Sequence, residues 1–322
     1  MTVTLIPGNT RVIYTAVQGS KGTAASTPSR KLRLTEDSLD PGRQLIQLPE
    51  TDSSSQAPSY AVVGAEPGNT FGTWLRPNDS DQLFHGLLGS TSGSAGSFST
   101  IPIVATPYLT IWDVVPGQST TKYVDARITE AAVSGSAGQG ISVQWTARAL
   151  TALTNQTEPV APSGFSTDVA MTYPQVTVTR GGVHNGDVDA FTLTISRGGQ
   201  YFHGDNGLTA ADYVNGLFAV TGSMTIAFQN AQEYSAFNTG TTAGTSLTTT
   251  LYEQALIIAV AIDGSHSFTF TSSGVIYTAF PIGIDTGGAP TVTAAGFSTV
   301  PQTTWANNLT IATKNDNASI SA

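Results

Sequence analysis

The side chains suited to acid–base or metal chemistry are few and scattered. Four histidines, His85, His184, His203 and His266, are spread along 322 residues, and there is no cysteine. None stands at a metal-ligating spacing from another or within a carboxylate cluster. In YFHGDNG, His203 and Asp205 look like ligands, but a polar turn explains the stretch, with Gly204, Asn206 and Gly207 supplying positive φ. RGGVHNGDVD surrounds His184 with Gly181, Gly182 and Gly186. A phosphate-cradling loop would end in Lys and Ser or Thr ahead of a helix, whereas this run joins two strands and reads as a hairpin tip. Asp187 and Asp189 alternate just beyond it, and a calcium site there would need a third ligand in phase. No G-x-S-x-G elbow occurs, and no acid pair stands where its two pKa values would separate. The residues therefore assign no catalytic group, no metal and no cofactor.

The elements around these residues are mostly strands. From Phe218 to Phe228 every second residue is Phe, Val, Gly, Met, Ile or Phe, the mark of a strand with one buried face. Ile141, Val143, Trp145 and Ala147 repeat the period, as do Phe191, Leu193 and Ile195, and Val176 and Val178. Further strands are predicted at 31–37, 43–49, 59–66, 108–115, 123–133, 246–262 and 266–280. Trp74, Trp145 and Phe228 fall in phase with strands, which assigns them to core packing. Two segments read as helix. Asp79 or Ser80 caps the first, which carries Leu83, Phe84, Leu87 and Leu88 and closes at Gly89. Asn230 caps the second, with Tyr234 and Phe237 on one face and closure near Gly240. LTAADYV (208–214) is a weaker helical turn.

The order of elements in 31–150 recurs about 150 residues later, in pattern and not in identity, which reads as a duplication. The expected organisation is an N-terminal arm (1–30), a first β lobe (31–150), a linker (151–168), a second lobe (169–300) and a C-terminal arm (301–322). GSTSGSAGSFST (89–100) reads as a flexible loop.

Composition narrows the class. Only 11% of residues are charged, against roughly 25% in ordinary soluble domains, and Ser, Thr, Gly and Ala fill the gap. So much neutral polar surface fits contact with other protein. The formal net charge of -9 argues against a conventional nucleic-acid binder, which needs basic side chains to replace phosphate counterions. No apolar run is long enough to span a membrane, and MTVTLIPGNTRV lacks a charged region before an apolar core, so neither membrane insertion nor conventional export is expected.

SYAVVGAEPGNTFGTWLRPNDSDQLFHGLLGS (59–90) resembles a recurrent block of siphophage major tail tube proteins. DVDAFTLTISRGG (187–199) and NGLFAVTGSMTIAFQNAQEYSAFNTGTTAGTSLTTTL (215–251) resemble that family's paired blocks, and Tyr123 to Leu150 its central hairpin. The likeness spans about 30–285 and rests on the order and spacing of the blocks, each degenerate alone. It implies an all-β sandwich or partial barrel with a helix at its side. It also implies self-association into stacked rings, with DNA only in transit, and no catalytic residues. Tape measure, tail terminator and distal tail proteins are the implied partners, and the virion tail, assembled in the host cytoplasm, the implied location. A receptor- or carbohydrate-binding β-sandwich is the alternative, although its aromatic cluster is missing: Trp74, Trp112, Trp145 and Trp305 are dispersed. A DNA conduit gains from a repulsive wall, which nominates Glu36, Asp37, Asp125, Glu130, Asp187 and Asp189 as lumen-facing acids. Two lobes per chain predict three chains around a pseudo-sixfold ring, whereas a single core predicts six.

Overall fold

A two-residue apolar period folds as antiparallel strands that bury one face. The computed structural model describes residues 10–48, 59–162, 169–181, 183–184, 187–205, 207–227, 232–284 and 290–320. The first half contains β1 (Val12–Val17), β2 (Arg30–Leu32), β3 (Leu34–Asp37), a hairpin of β4 (Arg43–Leu48) and β5 (Ser59–Ala65), and β6 (Gly68–Trp74). Helix α1 (Pro77–Leu88), a hairpin of β7 (Gly89–Ser94) and β8 (Ser97–Pro102), β9 (Leu109–Val115), β10 (Ser119–Ser136), β11 (Ser142–Arg148) and β12 (Thr151–Leu153) follow. The second half contains β13 (Val176–Arg180), β14 (Val183–His184), β15 (Val188–Phe202), β16 (Asp212–Ala227), α2 (Gln232–Thr239) and β17 (Gln254–Ala261). It ends with β18 (Ser267–Ala279), β19 (Ile282–Ile284), β20 (Pro290–Thr299), α3 (Trp305–Asn308) and β21 (Thr310–Lys314). The chain is thus all-β with minor helix.

Strand pairing repeats. Hydrogen-bonded neighbours in the first half run β2, β1, β9, β10, β11, β6, β3, with β12 also on β10. In the second half they run β14, β13, β17, β18, β20, β16, β15, with β21 also on β18. Position by position the two series match, and α1 follows β6 as α2 follows β16. Each long central strand serves two layers. The first part of β10 pairs with β9 and β12, the second part with β11 and β15, and its register shifts between Tyr123 and Ala126, where Asp125 has φ 54°. The layers pack face to face around one apolar core that draws on both halves, from Ile13 to Ile311.

The halves meet along β10 and β15, paired from Glu130–Ser196 to Ser136–Ala190. Behind that joint lies α1, with Leu83, Phe84, Leu87 and Leu88 all buried. Phe84 meets Trp145 of the first half at 4.8 Å and Phe268 and Phe270 of the second at 5.5 and 5.6 Å, all edge-on. The helix begins after Arg76 with Pro77 at its first position, so neither Asp79 nor Ser80 is its cap. Gly89 closes it as expected, at φ 104°; a Cβ there would lie 2.8 Å from the Ala105 carbonyl. Helix α2 is less enclosed. Tyr234 and Phe237 touch Phe280 at 6.3 and 6.2 Å but remain 42% and 36% exposed, and Asn230 lies outside the described residues.

Several segments expected as loops are sheet. Residues 89–100 form most of the β7–β8 hairpin, because Phe98, Thr100 and Pro102 share a buried face and β8 pairs with β21. The expected N-terminal arm contributes β1, whose apolar run VIYTAV is buried on both faces. The expected C-terminal arm contributes β21, set between β18 and β8. Thr151–Leu153 of the expected linker pair with β10, and 163–168 lie outside the described residues. The helical turn expected at 208–214 is absent: from Asp212 onward the chain is β16, paired with β15. The strand expected over 246–262 begins only at Gln254.

The C-terminal residues after β21 lace back onto α1. Asn315 and Asn317 donate to the Asp81 carboxylate at 3.0 and 2.7 Å, and Arg30 pairs with the same carboxylate at 3.3 Å. Arg30 also donates to the Ser319 carbonyl at 2.8 Å, and Gln82 to that of Ile320 at 3.3 Å. Burial pushes the Asp81 carboxyl up, while Arg30, the Asn317 side chain and the Gln82 backbone amide oppose the shift.

Candidate functional site

The layer that crosses the joint runs β3, β6, β11, β10, β15, β16, β20, and its two faces differ in chemistry. On the inner face Phe71, Trp145, Ala131, Ile195 and Val220 lie in one cross-strand row. All five are buried, and the Trp145 indole N–H donates to Thr73 Oγ1 at 3.0 Å. The outer face carries small neutral polar groups. One register row reads Glu36, Gly72, Gln144, Ala132, Thr194, Thr221, Ser298. Its neighbours read Trp74, Ser142, Ser134, Thr192, Ser223, Gly296 and Thr70, Thr146, Glu130, Ser196, Ala219. Facing hydroxyls satisfy one another: Ser134 and Ser142 at 2.8 Å, Thr192 and Ser223 at 2.9 Å. Gln144 donates to Glu36 at 2.9 Å.

These rows hold two carboxylates and no Lys or Arg. Beyond Thr146 and Glu130, Arg148 and Arg127 stand opposite each other, and the Arg127 guanidinium lies 4.3 Å over the Tyr108 ring. Without basic side chains, the rows have nothing to exchange for the counterions of a phosphate backbone, so they offer DNA no strong contact. A phage tail tube protein family model matches residues 8–303. The chain belongs to that family. No curated protein matches it. As a phage tail tube protein, it is a structural component of a virion tail.

Within this tail tube protein the six nominated acids go to different places. Glu36 and Glu130 come together on the hydroxyl-lined face. Asp37 lies on the other side of β3, where Arg11 Nε reaches Asp37 and Asp113 at 2.7 Å each. Burial raises the Asp37 carboxyl to about 6, helped by Asp113 and opposed by Arg11 and the Leu39 amide. Asp125 is buried and accepts from the Gly22 amide at 2.7 Å. Asp187 accepts from Arg180 at 3.0 Å, and Arg180 also meets Glu233 at 3.0 Å. Asp189 is exposed in the register shift between Val188 and Ala190. Shifts of this kind, at Leu34/Glu36, Ile128/Glu130 and Val188/Ala190, break the parity by which sequence spacing assigns a face. The face itself had a sequence signal in the polar partners of the alternation, Ser142, Gln144 and Thr146, then Thr192, Thr194 and Ser196.

The other candidates become structural. His266, expected outside any carboxylate cluster, sits 3.0 Å from both Asp263 and Asp316, because β21 brings Asp316 beside the β17–β18 turn. Asp316 and Asp263 raise its pKa to about 9, so at neutral pH it is a cation between two anions. His85 meets Thr91 at 2.8 Å, and burial lowers its pKa. His203 meets Glu66 at 3.4 Å. Gly204 and Gly207 do not adopt positive φ; a Cβ at Gly207 would lie 2.5 Å from the Thr209 carbonyl, and Asn206 is outside the described residues. Trp74, expected in the core, lies on the hydroxyl-lined face, 36% exposed and close against Gly140. Among the described residues no group of three His, Asp or Glu is arranged to hold a metal, and no helix is long and apolar enough to cross a membrane.

Proposed function

We propose that this chain is the major tail tube subunit of a long non-contractile tail, polymerising into stacked rings whose joined hydroxyl-lined faces form the channel for DNA ejection. The observation that carries the proposal is the continuity of those neutral rows across the β10–β15 joint, from one half of the chain into the other. In this reading Glu36 and Glu130 line the lumen, and their charge together with the lack of cations lets DNA slide without a brake. The protein acts as a structural element and not as an enzyme. Tape measure, terminator and distal tail proteins meet it at the bore and ends of the tube, after assembly in the host cytoplasm.

The two halves share one apolar core, but their repeated pairing order supports two lobes per chain and three chains per ring. Within the chain, lobe one offers the edge of β10 and lobe two answers with β15. The equivalent edges are those of β18 in lobe two and β3 in lobe one, and among the described residues β3 has a single strand neighbour, β6. Pairing the β18 edge of one chain with the β3 edge of the next would repeat the internal joint and close the sheet, leaving no exposed edge around the ring. The covalent link between lobes raises their effective concentration and favours closure. Cryo-electron microscopy of tubes grown from purified protein tests this. Three chains around the axis with Thr192 and Thr194 facing the bore are expected. Six full-length chains would refute the two-lobe reading, and a bore lined by another face would refute the channel assignment.

A further inference from the structure

The matched pairing order also shows where one lobe lacks something the other has. In lobe two, β15 and β16 run on past the layer as an arm, with Gly199–Phe202 paired to Asp212–Asn215. That arm is seated on lobe one. Ala65 N–H donates to the Leu208 carbonyl at 2.7 Å, Tyr201 Oη donates to the Pro67 carbonyl at 2.6 Å, and Lys21 meets Asp212 at 3.1 Å. Tyr201, Ala210 and Tyr213 pack around Leu150.

The β4–β5 hairpin occupies the same position in lobe one, inserted between β3 and β6 as the arm is inserted within β15 and β16. It has no comparable apolar seat: Leu45, Ile46, Tyr60, Val62 and Val63 are 57%, 43%, 67%, 36% and 45% exposed. Lobe two meanwhile exposes apolar side chains where the seat would be. Leu217, 91% exposed, precedes the layer portion of β16 as Pro67 precedes β6. Trp305, 41% exposed, follows β20 much as Leu150 follows β11, and its ring meets Phe218 edge-on at 6.2 Å. Within one chain the β15–β16 arm already covers lobe one and meets the base of the hairpin at Ala65, which leaves the exposed Leu217 and Trp305 of lobe two to the hairpin of a second copy.

We infer that the β4–β5 hairpin docks on Leu217, Phe218 and Trp305 of the neighbouring copy in the same ring, repeating between chains the clasp that the β15–β16 arm makes within one. The inference rests on the ring reading above. It adds a lateral contact outside the sheet and names its two sides. Apolar burial supplies its driving force, since β4 and β5 carry one charged residue, Arg43.

The chain has no cysteine, so introduced pairs report directly. Full-length protein carrying Val62→Cys with Leu217→Cys, or Tyr60→Cys with Trp305→Cys, is assembled into tubes and oxidised. Disulfide-linked bands that stop at the ring's chain number, three in the proposed ring, are expected, with dilute monomer giving none. Tubes that form yet cross-link through neither pair overturn the inference and leave the ring reading intact. Ladders longer than one ring overturn it too, by placing the hairpin between rings. Wild-type protein that never forms tubes sinks the ring reading and this inference with it. A Tyr60→Asp, Val63→Asp variant should keep the monomer's melting temperature and lose assembly; unimpaired assembly would overturn the inference.

Discussion

Replacing Phe84 with Ala asks whether the two halves of the chain stand or fall together. The ring is 1% exposed, and removing it from a packed site costs about 3–5 kcal/mol through lost transfer energy and a residual cavity. Its three edge-on partners, Trp145, Phe268 and Phe270, place the cost at the upper end, because each aromatic pair adds about 0.5–1.5 kcal/mol beyond burial. Such a loss is a large share of the roughly 5–15 kcal/mol that holds a domain folded. Since Trp145 belongs to the first half of the chain and the two phenylalanines to the second, the loss should be felt on both sides. Urea denaturation gives the total, and hydrogen exchange read by mass spectrometry gives its distribution. Amides of β11 and of β17–β18 should lose protection by the same amount. A cycle with Phe268→Leu should show coupling of about 0.5–1.5 kcal/mol between the two sites. A destabilisation below about 1 kcal/mol, or undiminished protection in β17–β18, would refute the shared core.

Three further outcomes follow from the charged clusters. Because burial raises Asp37 to about 6, its folded form keeps a proton that the unfolded chain releases near pH 4; its contribution to stability is therefore best at low pH and declines as pH rises from about 4 through about 6. Asp37→Asn should flatten that slope in unfolding curves taken across the window, and an unchanged slope would count against it. His266, raised to about 9 by Asp316 and Asp263, stabilises fully below about pH 6.5 and loses that contribution as pH climbs through 9. The melting-temperature gap between wild type and His266→Gln should accordingly shrink over that range; a gap independent of pH would be inconsistent with the ion pairs. Truncation after Lys314 strips Asn315 and Asn317 from buried Asp81, with an expected cost of about 2–4 kcal/mol in chemical unfolding; wild-type stability in the truncated chain would show that the lacing is ornamental.

The strand content, and α1 with its closure at Gly89, were legible because each depends on local period or composition. Parity was not. A single-residue register shift moves a side chain to the opposite face, so Leu34 and Glu36, two apart in sequence and expected on one face, stand opposite Thr73 and Gly72, which belong to opposite faces of β6. Long-range pairing was also invisible: nothing in GSTSGSAGSFST announces that β8 will meet β21, or that His266 will find Asp316 across fifty positions. Low-complexity composition conceals a strand when its partner, not its own sequence, holds it in place.

The lacing of residues 315–320 onto α1 has a consequence for synthesis. A ribosome delivers the first half before the second, and the amides that reach Asp81 emerge 234 and 236 residues after it, while the strand that covers β8 emerges long after β8 itself. The first half therefore cannot complete its contacts until residues 310–317 have emerged. Fragments that end before β21 would carry a buried carboxylate short of two amide donors and an uncovered edge on β8.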